Sequence, residues 1–207
     1  VAADTGVPIA LVNYAVGGAP IEAFISREAL ARSAVFRKKV TGNWLSNESI
    51  EGSFVRLRAQ QHLGTAKDVP SDDCGPNHGF KPGFAWAAGP AQATHFAIKG
   101  VLWYQGESNA IRQEDIAEYG VLMKLLVADW RRHWHQADLP FYWVQLPSIN
   151  EPARQFWPEF REVQRQLTTE ITNSGMAVAL DVGTPKDVHP RNKRADVERD
   201  GHAAIGN

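Results

Sequence analysis

The residues from Ile98 to Ala110, Ile-Lys-Gly-Val-Leu-Trp-Tyr-Gln-Gly-Glu-Ser-Asn-Ala, constrain the chain most, because an apolar run stops there abruptly in small and polar groups. Ile98, Val101, Leu102 and Trp103 suit a strand buried on both faces, and Gln105 to Asn109 then form a turn crowded with hydrogen-bonding groups. Ligands of an open parallel sheet bind just beyond the carboxyl ends of its strands, so this turn marks the edge of a site.

The surrounding pattern alternates strands with helices. Pro8 to Asn13, Pro140 to Leu146 and Met176 to Val182 read as further apolar strands. Between them, Ile116, Tyr119, Leu122, Leu126 and Trp130 recur at three- and four-residue intervals, which predicts a long amphipathic helix within 111–135. Phe160, Val163, Leu167 and Ile171 predict another, closed by Asn173 and Gly175. A shorter helix is expected near Ser53 to Gln61, one capped by Ser26, and one over Pro90 to Phe96. The rest of 40–100 reads as a long decorated loop that shapes the substrate side of a cleft. Such alternation implies βαβ units and a parallel sheet with helices on both faces. No repeat or linker divides the chain, so 1–207 is expected to be a single domain.

Composition narrows the partners. Lys plus Arg total 22 and Asp plus Glu 23, so there is no electrostatic reason to expect nucleic acid or an anionic membrane. No apolar run approaches the roughly 20 residues of a membrane span. Cys74 stands alone, without a disulfide framework. Asp72, Asp73, Cys74 and His78 match no common metal-ligand spacing and read as a solvated turn. Aromatic side chains are plentiful and are expected chiefly in the core, with some rings available to line a sugar groove.

Two positions carry chemistry beside the turn. Gly17 and Gly18 follow the first apolar run, where successive glycines let backbone N–H groups approach an oxyanion. His189 lies just past the last strand and two residues from Asp187, whose carboxylate can fix the imidazole tautomer and stabilise its protonated form. The remaining histidines belong to helices or turns.

Five blocks together resemble the sialate O-acetylesterase family of SGNH hydrolases: Gly-Gly-Ala-Pro-Ile-Glu-Ala-Phe-Ile-Ser (17–26), Gly-Val-Leu-Trp-Tyr-Gln-Gly-Glu-Ser-Asn-Ala (100–110), Pro-Phe-Tyr-Trp-Val-Gln-Leu (140–146), Gly-Met-Ala-Val-Ala-Leu-Asp (175–181) and Asp-Val-His-Pro-Arg-Asn-Lys (187–193). The resemblance implies a flavodoxin-like three-layer α/β/α domain and serine-dependent removal of acetyl groups from sugar hydroxyls, with no metal or organic cofactor. It implies Gly18, with Gly17, as an oxyanion donor, and a second donor on the turn, Gln105 first and Asn109 second. Glu107 is expected to brace that turn. His189 corresponds to the general base and Asp187 to its orienting acid. The family usually places this acid three residues before the histidine, where this chain has Lys186, so Asp181 is an alternative. Arg161, Gln164 and Gln145 also match family positions, with structural roles expected.

The resemblance further implies a nucleophilic serine in a Gly-Gln-Ser-Asn segment on the first strand, upstream of Pro8. Ser108 sits in Gly-Glu-Ser-Asn but follows Trp-Tyr-Gln-Gly, which fits the later family block instead. The expectation is therefore that the first strand is absent from this chain, and that an upstream segment of the same protein completes the sheet between Pro8 and Ile98. The polar stretch after Lys193 also departs from the closing amphipathic helix the family would have. An acetylated carbohydrate is the expected partner. An acetylesterase acting on xylan or another polysaccharide, and a glycan-binding module without activity, are the alternatives. Family analogy suggests an extracellular or periplasmic location.

Overall fold

A computed structural model describes residues 6–190. Arg191 to Lys193, the polar stretch after them and His202 lie outside the described residues. In chain order the helices are α1 (Arg27–Arg32), α2 (Leu57–Thr65), α3 (Phe84–Ala88), α4 (Gln113–His133) and α5 (Trp157–Glu170). The strands are β1 (Ser71–Asp72), β2 (Gly75–Pro76), β3 (Val101–Trp103), β4 (Phe141–Val144) and β5 (Ser174–Ala177). β1 and β2 form a small antiparallel pair, while β3, β4 and β5 lie in that order in a parallel sheet. Val101 pairs with Phe141, and Phe141 with Ser174. Parallel neighbours need long crossovers, which α4 and α5 supply.

Helix α4 forms because its apolar side chains fall on one stripe: Ile116, Tyr119, Leu122, Leu126 and Trp130 are all buried. Glu114 and Asp115 in its first turn and Arg131, Arg132 and His133 in its last complement the helix dipole. The stripe packs on the sheet face that carries Trp103 and Phe141, with Trp130 ring centroids 6.4 and 5.9 Å from theirs. Helix α5 covers the neighbouring part of the sheet, where Trp143 Nε1 donates to the Gln164 carbonyl and Phe160 lies 4.3 Å from Tyr119. Each large side chain buried here contributes about 1.5–3 kcal/mol, so this layer holds the domain together. Beyond α5 the chain turns at Asn173, whose φ of 47° is left-handed, before entering β5.

Several expectations change. Pro8 to Asn13 is not a strand: it has no regular structure, and Leu11 and Val12 are 81% and 67% exposed. An apolar run becomes a buried strand only when a neighbour takes its backbone hydrogen bonds, and among the described residues none does. The strand at Ile98 begins only at Val101, and Leu102 is 54% exposed on the sheet face turned away from α4. The last strand stops at Ala177, and Leu180–Val182 is a single 3-10 turn. The segment 40–100 is more ordered than a loop. It contains a π-helical turn, Gly52–Arg56, that runs into α2, then the β1/β2 pair, α3 and a 3-10 turn at Pro90–Ala93. Ser26 caps α1 as expected, its side chain accepting from the Ala29 amide.

Candidate active site

The loops that leave the carboxyl ends of β3, β4 and β5 are tied to one another in series. After β3, the 105–109 turn reaches back to the glycine loop. Gln105 Nε2 donates to the Ala19 carbonyl at 3.3 Å and to Asn109 Oδ1 at 2.8 Å. Asn109 Oδ1 also accepts the Ile21 amide at 2.9 Å, and Ser108 Oγ donates to the Gly18 carbonyl at 2.8 Å. After β4, Arg154 Nη1 donates to the Glu107 carbonyl at 2.6 Å. The Asn150 amide donates to the Pro185 carbonyl at 2.9 Å, which fastens the loop after β5. That last loop carries Asp187 and His189.

Gly18 has φ of +79°, and a side chain there would meet Phe80 at 3.1 Å and Phe54 at 3.5 Å. Glycine is therefore required by both backbone and space. Among the described residues none accepts a hydrogen bond from the Gly17 or Gly18 amide, so both N–H groups are available as donors. Gln105 and Asn109 are differently placed. The Gln105 amide hydrogens are used by the Ala19 carbonyl and Asn109 Oδ1, and its Oε1 is buried with no partner among the described residues. Asn109 Nδ2 donates to Glu22 Oε2 at 3.0 Å, so its amide is also engaged. Both residues fix the shape of the glycine loop.

Ser108 is 2% exposed and committed to Gly18. It has no hydrogen bond to a histidine among the described residues, unlike a serine activated by a base. Tyr119 supports the turn from below, its hydroxyl donating to the Gln105 carbonyl at 3.4 Å. Burial pushes the Tyr119 phenol well above its ordinary value, so it stays protonated as a donor.

His189 Nδ1 lies 3.0 Å from Asp187 Oδ1, which also accepts the His189 amide at 2.9 Å. Asp187 thus contacts both the ring and the amide of His189, and Asp181 lies in the 3-10 turn at Leu180–Val182. Both side chains of the pair face solvent, 77% and 56% exposed. Of the three further family positions, Gln145 and Gln164 bond through their side chains to the protein's own backbone. Gln145 Nε2 donates to the Arg161 carbonyl, and Gln164 Oε1 accepts the Leu146 amide.

Sequence reasoning missed the anchor beneath this site. Glu22 and Lys39 form a fully buried ion pair at 3.0 Å, and Lys39 also reaches Glu118 at 2.9 Å. Burial alone would push Glu22 up. The Lys39 charge and the hydrogen bonds from Asn109 and Lys39 outweigh it and hold the carboxyl below its ordinary range. The signal was a lone carboxylate in the apolar run Ile21 to Ile25. Asp72, Asp73 and Cys74 do lie together, but each has a partner: Lys81 for Asp72, Arg27 for Asp73, and the Val40 carbonyl for the Cys74 thiol. His78 faces His62 instead.

Residues 85–199 match the family described as carbohydrate esterase, sialic acid-specific acetylesterase. The chain belongs to this family. It is 29% identical over 212 residues to the sialate O-acetylesterase of Rattus norvegicus, covering 90% of this chain and 37% of the relative. Identity to the sialate O-acetylesterase of Mus musculus is 30% over 206 residues, with the same coverage. The fold is similar to the crystal structure of a carbohydrate acetylesterase from Xanthomonas citri, with a TM-score of 0.67 and 26% identity over 100% of this chain and 39% of that one. The chain thus spans under two-fifths of the length of these family members. Among the described residues no helix is long and apolar enough to cross a membrane.

Proposed function

We propose that this chain supplies the oxyanion-binding and general-base parts of a serine-dependent carbohydrate O-acetylesterase, with an acetylated sialic acid as the preferred substrate. The observation that carries the reading is the 105–109 turn, bonded on one side to the Gly18 loop and on the other, through Arg154, to the loops that hold His189. Family membership gives that geometry its chemistry.

In this reading a serine hydroxyl attacks the acetyl carbonyl carbon while His189 takes its proton. The Gly17 and Gly18 amides hold the oxyanion, and such preorganised donors are each worth about 10²–10³ in rate. The bond to the sugar oxygen then breaks, and His189 returns the proton to the leaving hydroxyl. Water deprotonated by His189 cleaves the acetyl-serine, releasing acetate and restoring the hydroxyl. Asp187 keeps the imidazole oriented throughout.

We place the serine on a further strand supplied by an upstream segment of the same protein, lying between the Pro8 run and the edge of β3. Two features support this: β3 is an edge strand among the described residues, with Leu11 and Val12 of the Pro8 run exposed, and the relatives are much longer than this chain. The test compares residues 1–207 with a longer protein that carries the preceding sequence, using p-nitrophenyl acetate, O-acetylated sialic acid and acetylated xylan oligomers. The longer protein should release acetate, fastest from the sialic acid, and His189→Ala should abolish it. Acetate release from xylan alone would move the substrate to plant polysaccharide. Glycan binding by the longer protein without any acetate release would replace the esterase by a binding module, a reading favoured only by the lack of a serine bonded to His189 among the described residues.

A further inference from the structure

Phe54 ties the glycine loop to two arginines. Its ring atoms lie 3.5 and 3.6 Å from where a Gly18 side chain would begin, so it walls the space beside the Gly18 amide. The Arg58 guanidinium stands 5.1 Å from the centre of the same ring and the Arg154 guanidinium 6.0 Å from it. Arg154 also stacks on Trp157 at 5.3 Å and is held by the Glu107 carbonyl at 2.6 Å. Neither guanidinium is within ion-pairing distance of a carboxylate among the described residues, whereas Arg27, Arg112, Arg132 and Arg165 all are.

Resting on the acetylesterase reading, we propose that Arg58 and Arg154 bind the carboxylate of an acidic sugar whose acetyl group lies at Gly18, and so set the preference for acidic over neutral acetylated sugars. A guanidinium offers paired donors in one plane, which match the two oxygens of a carboxylate. Stacking on aromatic rings holds the forks in place, and among the described residues the Glu107 carbonyl engages only Nη1 of the Arg154 donors. Lysine would supply charge at the same place without the fork.

Three carboxylates act on Arg154 from farther away, Glu107, Glu51 and Glu151. Glu51 is already engaged, its oxygens accepting the Ser53, Phe54 and Val55 amides at the start of the helical segment, which hold it ionised. Burial lowers the Arg154 pKa from the ordinary arginine value, and those carboxylates work in the opposite direction. The guanidinium remains charged at any pH at which the enzyme would act.

The test uses the longer protein and two substrates, one with a charged and one with an uncharged carboxyl group: O-acetylated N-acetylneuraminic acid and its carboxylate methyl ester. Charge-assisted bonds of this kind should give the free acid about a tenfold or greater advantage in kcat/KM. That advantage should shrink in added salt, fall in Arg58→Gln and in Arg154→Lys, and reach about one in the double variant, chiefly through KM. Taking the ratio within each variant cancels any general loss of folding or turnover. A ratio near one in the parent protein, or an unchanged ratio in the double variant, overturns the assignment while leaving the esterase standing. Release of acetate from none of the esters overturns both.

Discussion

Asn109 and Glu22 are 87 residues apart in sequence, yet Asn109 Nδ2 donates to Glu22 Oε2 at 3.0 Å in the buried interior. Through this bond the buried Glu22–Lys39 pair sets the position of the amide that the Ile21 N–H and the Gln105 side chain both use. The glycine loop and the 105–109 turn are therefore positioned by one charged anchor. Removing one member of a buried pair leaves an uncompensated charge, so Glu22→Ala should cost about 3–5 kcal/mol in urea unfolding. Glu22→Gln keeps an acceptor for Asn109, and Glu118 still faces Lys39, so it should cost about 1–3 kcal/mol. Equal losses in the two variants would show that the charge is not what matters.

The same carboxyl sets an acid limit. Its folded pKa lies below the ordinary 4.5, so it binds fewer protons folded than unfolded. Its contribution is present above pH 4.5 and is lost as pH falls through the folded value. Unfolding free energy measured from pH 6 down to pH 3 should therefore drop more steeply in the parent protein than in Glu22→Gln. Parallel curves would remove Glu22 from the acid response.

A second pH dependence comes from His62 and His78. His62 Nδ1 lies 3.1 Å from His78 Nε2, and His78 Nδ1 accepts the Phe80 amide at 3.1 Å. That amide fixes the neutral His78 tautomer with its proton on Nε2, directed at His62. A proton added to Nδ1 would have to break the Phe80 bond. Burial, and then the His62 charge, lowers the His78 pKa below the ordinary 6.5. Folded protein thus binds fewer protons here than unfolded protein. Stability is full above pH 6.5 and declines as pH falls through the folded value. Because Phe80 packs against Gly18, the loss should begin at the glycine loop and appear as faster amide exchange there. His78→Asn, which can still accept from the Phe80 amide, should flatten the decline. An unaltered decline in that variant would exclude the pair as its source.

What was legible in the sequence follows from where each signal is stored. Helix α4 was readable because its burial stripe repeats along the chain itself, and β4 because Phe141 to Val144 are apolar throughout. The Pro8 run carried the same apolar signal and was misread, because pairing depends on a neighbour and not on the run. His189 and Asp187 are two residues apart, so their contact could be read from spacing. Glu22, Lys39 and Asn109 share no local pattern, and their union appears only once the loops are folded. Gln105 and Asn109 were read as donors to a ligand, whereas their side chains bond the protein's own backbone and each other.

Gly106 tests whether that turn is held as tightly as its bonds imply. Its φ is +155°, and a side chain there would meet the Phe160 ring at 2.5 and 2.7 Å and Leu146 at 3.2 Å. Phe160, on α5, is fully buried against Tyr119 of α4, so it has no empty space to move into. Gly106→Ala therefore combines backbone strain with overpacking, each of which costs about 1–3 kcal/mol. The turn can relieve this only by shifting outward, which would stretch the Ser108 bond to Gly18 and the Arg154 bond to Glu107. In the longer protein the variant should lose acetate release beyond what its loss of stability explains, measured well below its Tm. Phe160→Leu in the same chain should recover part of both losses by making room for the new methyl group. Full activity and stability in Gly106→Ala would mean that the turn is free to move, and that the hydrogen bonds around Gln105 and Asn109 do not determine where the Gly18 amide points.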